Sequence, residues 1–282
     1  MQINKLSEYV EYVSQLKPLK ANKKIYKNSL FFRGLNDANY DLSPSLGRKV
    51  TGNWVNTYTR VESDLIETAQ LHYPEEFGMQ KNPVLVLAKL QHYGIYTRLM
   101  DITSNPLIAL YFACKGNNKH AGKVVVLSGR CVNAYNSYAC AIADTCKIAG
   151  NAITNVEDFY ECIKKKDYFN NVDNDLEVFE NLISSHLFVD PGFISQRQIN
   201  QSGKFLLFPN KIINGKIQED LLSLDDKNKC FLDTIIIDPD KKSGLLKELC
   251  KFGITDSFIF PDNLDKNCES IVQEQIERFK ED

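Results

Sequence analysis

Leu90 to Ala113, LQHYGIYTRLMDITSNPLIALYFA, sets five unlike polar groups, Gln91, His92, Thr97, Arg98 and Asp101, beside a nearly apolar run. A core segment has no use for so many, because a buried charge or amide is costly unless paired. Arginine three positions before a carboxylate points to a fixed polar network. The order of elements is legible. Apolar residues at 84, 85, 87, 88 and 90 predict a mostly buried helix over Val84–His92. Tyr93-Gly94 ends it with the glycine that a left-handed helix cap favours. Tyr96 to Ile102 alternates polar and apolar as a short strand. Thr103-Ser104-Asn105-Pro106 then opens, with a capping hydroxyl and a proline at its first turn, a second helix, Leu107–Cys114, apolar nearly all round and therefore buried.

Outward from that block, the 282 residues carry 43% hydrophobic side chains, enough for a sizeable core, and a net charge of −2. That charge argues against a general polyanion-binding surface, and leaves room for a local basic groove. No run approaches the roughly 18 apolar residues that span a bilayer. The start, MQINKLSEYVEYVSQL, reads as an amphipathic helix over 3–16 and not as a secretory signal. Eight cysteines are scattered without CxxC spacing, and Cys114, Cys140 and Cys250 sit in apolar helical contexts. The expectation is a cytoplasmic chain with free thiols and no metal site.

Strands are expected at Ser29–Arg33, Lys123–Ser128, Lys204–Phe208, Thr234–Asp238 and Ser257–Phe260, with helices over Trp54–Leu71 and Ser243–Phe252. Residues 130–185 look mainly helical, and KKKDYFNNVDND within them reads as an exposed excursion. Strands and helices intersperse without regular alternation, which favours an α+β fold with a mixed central sheet over a doubly wound one. The expected organisation is one domain over 1–282, its core at about 29–275 and a helical insert at about 130–185.

Among candidate chemical groups, Arg33 ends the apolar strand Ser29-Leu30-Phe31-Phe32 and precedes Gly34. A guanidinium fork beside glycine brings side chain and backbone close to a phosphate or carboxylate; a structural ion pair with Asp101 fits the same pattern. Of four histidines only His92 sits in a dense polar block, placed to act as general base or ligand contact, whereas His72, His120 and His186 stand singly as surface or helix-end residues. Tyr93 and Tyr96 are placed to stack on a flat ring or to fill core. The lysines of 17–27 and Lys164-Lys165-Lys166 read as solvated faces rather than nucleic-acid contacts. No nucleophile elbow and no His/Asp metal spacing occur.

Phe32-Arg33-Gly34, then Tyr40, Leu42, Ser43-Pro44-Ser45-Leu46 and Arg48, then Leu90–Ala113, resemble the FRG domain family, named for a Phe-Arg-Gly motif. Arg197, Gln201, Gly203 and Phe205 in RQINQSGKF, and Thr234–Asp238 followed by KELCKFGITDSFIFPD, are similar to later blocks of that family. The motif order also resembles the ADP-ribosyltransferase superfamily. That resemblance implies an ADP-ribosyltransferase-like core in which Arg33 and Gly34 hold the phosphates or ribose of NAD, used as substrate. Thr103 and Ser104 would shape the nicotinamide pocket, with Gln91 and Tyr93 as further binding residues and His92, Asp101 and Gln201 as catalytic candidates. The usual late glutamate is missing, and Gln201 stands in its place; a glutamine holds a ribose hydroxyl but cannot oppose positive charge. For Gln201 and Arg197 the other reading is a buried hydrogen-bond pair under the KFLLF strand.

The site expected is one cleft lined by Arg33, Gln91, His92, Arg98, Asp101, Thr103 and Gln201, with Arg98 and Asp101 as its supporting pair. The resemblance implies an NAD-binding toxin or phage-defence effector of bacterial type, with an unknown macromolecular acceptor and no membrane partner. The alternative is a non-catalytic module that binds a nucleotide, nucleic acid or partner protein.

Overall fold

Ser29–Leu35 (β2) sends Phe31 and Phe32 to opposite faces of a sheet, and each anchors a different core. The computed structural model describes residues 1–20, 27–48, 58–116, 119–149, 155–169 and 175–261. Among them the chain runs β1 (Gln2–Ile3), α1 (Leu6–Gln15), β2, α2 (Glu62–His72), α3 (Pro83–His92), β3 (Leu99–Thr103), α4 (Pro106–Cys114) and β4 (Gly122–Gly129). It continues through β5 (Cys131–Asn133), α5 (Ser137–Ala149), α6 (Val156–Ile163), α7 (Leu176–Ile183), β6 (Leu187–Asp190), α8 (Gln196–Asn200) and β7 (Gly203–Leu207). The hairpin β8 (Asn210–Ile213) and β9 (Lys216–Leu221), then β10 (Phe231–Ile237), α9 (Lys242–Lys251) and α10 (Asp256–Ile259) complete it. The fold is α+β with a mixed sheet, as expected.

Eight strands form that sheet in the order β1-β10-β4-β2-β3-β7-β6-β5, parallel at β1–β10 and β5–β6 and antiparallel elsewhere. Its centre is split. β2 pairs with β4 from Ser29 to Leu35, and β3 pairs with β7 from Leu99 to Thr103, but β2 and β3 meet at a single pairing, Phe32 with Thr103. One half-sheet carries α1, α4 and α9 over Phe32, Val124 and Ile235; the other carries α3, α5, α6 and α7 over Leu99, Val189 and Leu207. A third cluster, including Phe31, Met100, Leu127 and Leu206, spans both halves on the opposite face.

Glycine lets α4 lie against the first half-sheet. A Cβ on Gly34 would stand 1.9 Å from the Ala109 carbonyl oxygen, and one on Gly122 would stand 2.2 Å from that of Ala113. Ala109 and Ala113 are one helical step of four apart, so a strip of small residues on α4 faces two glycines on adjacent strands. The glycine of Phe-Arg-Gly is thereby required for packing.

Several expected boundaries shift. The strand expected from Tyr96 begins at Leu99, because Thr97 and Arg98 turn inward and are buried. Ser257–Phe260, expected as a strand, lies mostly in α10: Thr255 caps it by accepting the Phe258 amide at 3.2 Å, and only Ile259 is sealed in the core. Residues 3–16 divide into β1 and α1. Of the helix expected over Trp54–Leu71, residues 54–57 lie outside the described residues, Tyr58–Val61 forms a 3-10 turn, and α2 begins at Glu62. In the polar excursion of 164–175, residues 170–174 also lie outside, whereas Phe169 is buried against Tyr138 and Tyr160. The seven described cysteines are free, but Cys250 is exposed rather than packed. No helix among the described residues is long and apolar enough to cross a membrane.

Candidate functional site

The split between β2 and β3 opens into a cavity of about 300 Å³. Arg33 sits at its wall. Continuing the antiparallel ladder beyond Phe32–Thr103 would bring Gly34 opposite Asp101, but the Asp101 carbonyl instead accepts a hydrogen bond from Arg33 Nη1 at 2.7 Å. A guanidinium thus replaces a main-chain amide, and the two half-sheets part around it. Arg33 Nη1 also lies 3.6 Å from Asp101 Oδ2, so the anticipated Arg33–Asp101 pair exists. Gln91 Nε2 donates to Asp101 Oδ1 at 2.9 Å, while Gln91 Oε1 accepts from the Thr97 hydroxyl. The C-terminal turn of α3 is therefore tied to β3 through one carboxylate.

Arg33 has capacity left over. Its Nε is the one buried side-chain polar atom without a hydrogen-bond partner among the described residues. Burial depresses the Arg33 pKa; Asp101 opposes that effect and the like charge of Arg48 adds to it. A desolvated guanidinium with an unspent N–H is a standing demand for an acceptor.

The far wall comes from the segment joining β6 to β7. Ser195 caps α8 by accepting the Gln198 amide at 3.2 Å, and Gln198 Nε2 closes the turn on the Gly203 carbonyl at 2.8 Å. Gln201 lines the cavity and donates one amide N–H to the Ile259 carbonyl at 3.0 Å, which holds its side chain to α10 and leaves its oxygen and second N–H. Thr103 Oγ1 donates to the Gln201 carbonyl at 2.6 Å and accepts the Asn105 amide at 2.9 Å, which commits it to holding this wall. Lys204 lines the cavity too, with Nζ 2.6 Å from Asp190 Oδ2. Arg197 lines it with its guanidinium over the Phe260 ring at 4.8 Å.

Arg33, Gly34, Gln91, His92, Asp101, Thr103 and Gln201 all border the cavity; Tyr93 and Ser104 lie outside its lining. His92 is exposed and meets the exposed Tyr93 edge to face at 5.2 Å. Ser104 holds on to Ser202 through its main-chain amide at 3.1 Å. Arg98 is a correction. It is 1% exposed and pairs with Glu62 from α2, not with Asp101, while Nη1 donates to the Ile142 carbonyl at 3.0 Å and Asn210 Oδ1 at 2.8 Å. It clasps α2, α5 and β8 to β3, away from the cavity. Arg197 and Gln201 likewise are not a buried hydrogen-bond pair: Arg197 is exposed. His186, expected at the surface, is partly buried against Phe208.

The sequence reading missed Ser195, Gln198, Lys204, Ile194 and Phe112 as wall residues. The one available signal was the Ser195 cap three residues before Gln198, which marks a helix start but not what it faces. No cluster of three or more His, Cys, Asp or Glu suited to a metal occurs among the described residues.

Fold and site define an α+β protein whose split sheet holds a pocket bordered by Arg33, Arg197, Lys204 and Asp101. Residues 28–122, from the start of β2 to the first residue of β4, match the family described as the FRG domain. The match takes in Phe32-Arg33-Gly34 and the whole Leu90–Ala113 block, while the blocks around Arg197–Phe205 and Thr234–Asp262 lie beyond it. No curated protein and no solved structure matches the chain.

Proposed function

We propose that this chain binds an anionic ligand of the nucleotide class in the cleft between β2 and β3, with Arg33 as the anion contact, and that it works as a recognition module. The observation that carries this reading is Arg33 on the cavity wall, its Nε buried without a hydrogen-bond partner. A planar fork with one donor held by the protein and others free suits a phosphate or carboxylate. The volume, about 300 Å³, is at the small end of the usual range for ligand sites, about 300–1,000 Å³. It suits a single nucleotide, and the second half of a dinucleotide such as NAD would lie toward exposed His92 and Asp101. Titration calorimetry with AMP and NAD tests this: Arg33→Lys, which keeps the charge but loses the fork, should lose most of the affinity and little thermal stability. Equal affinity for both proteins would refute the anion contact. A ligand at 100 times its dissociation constant should add roughly 2.7 kcal/mol of stability.

The second reading is ADP-ribosyl transfer or NAD hydrolysis, and the expected toxin or phage-defence role belongs with it. The observation in its favour is that Asp101, the sole carboxylate residue lining the cavity among the described residues, is 62% exposed. In that reading Asp101 faces the developing positive charge, His92 carries a proton and Gln201 Oε1 holds a ribose hydroxyl. Against it, Gln91 and Arg33 already engage the Asp101 carboxylate. Nicotinamide release from NAD, abolished in Asp101→Asn, would establish the chemistry; no release above buffer would leave the binding module.

A further inference from the structure

Two arginines border the cavity on either side of β3, Arg33 from β2 and Arg197 from α8, and both have donors to spare. Arg197 donates no hydrogen bond and meets no carboxylate among the described residues. Its guanidinium is nonetheless held in place, with Cζ over the Phe260 ring at 4.8 Å, a cation–π contact that leaves its N–H groups without an acceptor among the described residues. Its helix is held as well: Asn200 Nδ2 donates to the Phe258 carbonyl at 2.7 Å, and Gln201 Nε2 to that of Ile259 at 3.0 Å.

Several other polar groups of the lining are engaged within the protein. Lys204 is on Asp190, and both ends of the Gln91 and Gln198 amides are bonded within the protein. Of the cationic groups Arg33, Arg197 and Lys204 on the lining, Lys204 is paired with Asp190, which leaves the two guanidinium forks of Arg33 and Arg197. One phosphate at Arg33 would leave the second fork unmatched.

We propose that Arg197 is the second arm of an anion clamp and selects a ligand with two adjoining anionic groups, a nucleoside diphosphate, over a monophosphate. This rests on the reading of Arg33 as the first contact. The test is titration calorimetry of ADP and of AMP, at one fixed low ionic strength, against the full-length protein and its Arg197→Ala and Arg33→Lys variants. Arg197 is exposed, so its removal should leave the melting curve nearly unchanged. The expected result is about tenfold tighter binding of ADP than of AMP by the unmodified protein, in keeping with one additional charge-assisted contact. Arg197→Ala should bind both alike with AMP affinity unchanged, and Arg33→Lys should lose both. If the unmodified protein does not distinguish ADP from AMP, or Arg197→Ala weakens both equally, the second arm is refuted while the Arg33 pocket stands. If neither nucleotide binds the unmodified protein, the pocket reading fails and the clamp with it.

Discussion

Replacing Gly34 by alanine separates a packing role from a ligand role for the Phe-Arg-Gly motif. The added Cβ would sit 1.9 Å from the Ala109 carbonyl oxygen and 2.8 Å from the Ala113 amide nitrogen, where ordinary contact begins near 3.4 Å. Relief requires α4 to retreat from the sheet by more than an ångström. Its other residues oppose that: Ile108, Leu110, Tyr111 and Cys114 are 0–2% exposed and packed in the same core as Leu245 and Leu249. Overpacking usually costs about 1–3 kcal/mol, and with backbone as the obstacle the loss should reach the upper end, about 3 kcal/mol. At about 2–4 °C per kcal/mol for a chain of this size class, the melting temperature should fall by roughly 6–12 °C. Urea denaturation measures the loss directly, with Gly244→Ala as control. Gly244 is inside α9 with nothing within 4 Å of its Cβ, so alanine there should be neutral or stabilise by up to about 1 kcal/mol. A Gly34→Ala protein within 1 kcal/mol of the original that had lost nucleotide affinity would refute the packing argument and give the glycine to the ligand.

Glu62→Ala should cost about 3–5 kcal/mol in urea, because it strands the buried Arg98 charge, whereas Glu62→Leu with Arg98→Met should cost much less; equal losses would reject the ion pair as the cause. His186 gives a pH dependence: burial pushes its pKa from 6.5 down to about 4, and its ring nitrogens face the Leu222 carbonyl and the Asn228 amide. The unfolded chain then takes up a proton that the folded one refuses, so stability present above pH 6.5 should fall by about 2 kcal/mol at pH 5 and about 3 kcal/mol below pH 4. His186→Gln should flatten that segment of a urea-midpoint profile, and an unchanged slope would sink the assignment. Asp101→Asn removes the charge that opposes Arg33 and should strengthen AMP binding by a factor of a few, read by calorimetry; weaker binding would mean that the carboxylate contacts the ligand.

Local chemistry was enough for part of this protein. Asn82 caps α3, the proline at the start of α3 and of α4 fits the first turn, and Gly94 takes the positive φ of 84° that its place after α3 required; the cap of α4 is the Asn105 amide oxygen rather than the expected hydroxyl. The α+β class and the strands at β2, β4, β7 and β10 followed from apolar runs between turn residues, since those patterns involve only near neighbours. Arg33, Gln91, His92, Asp101, Thr103 and Gln201, expected in one cleft, all border the cavity. Pairing decided the rest. Arg98 and Arg33 are both arginines near Asp101 in space or sequence, yet one went to Glu62, 36 positions earlier, and the other to Asp101, 68 positions later. Which carboxylate a guanidinium meets depends on strand order and on which helix crosses above it, and no local window contains that. The split in the sheet has the same origin. It exists because a side chain occupies a carbonyl that a main-chain amide would otherwise have taken, a competition settled only when β2 and β3 are brought side by side.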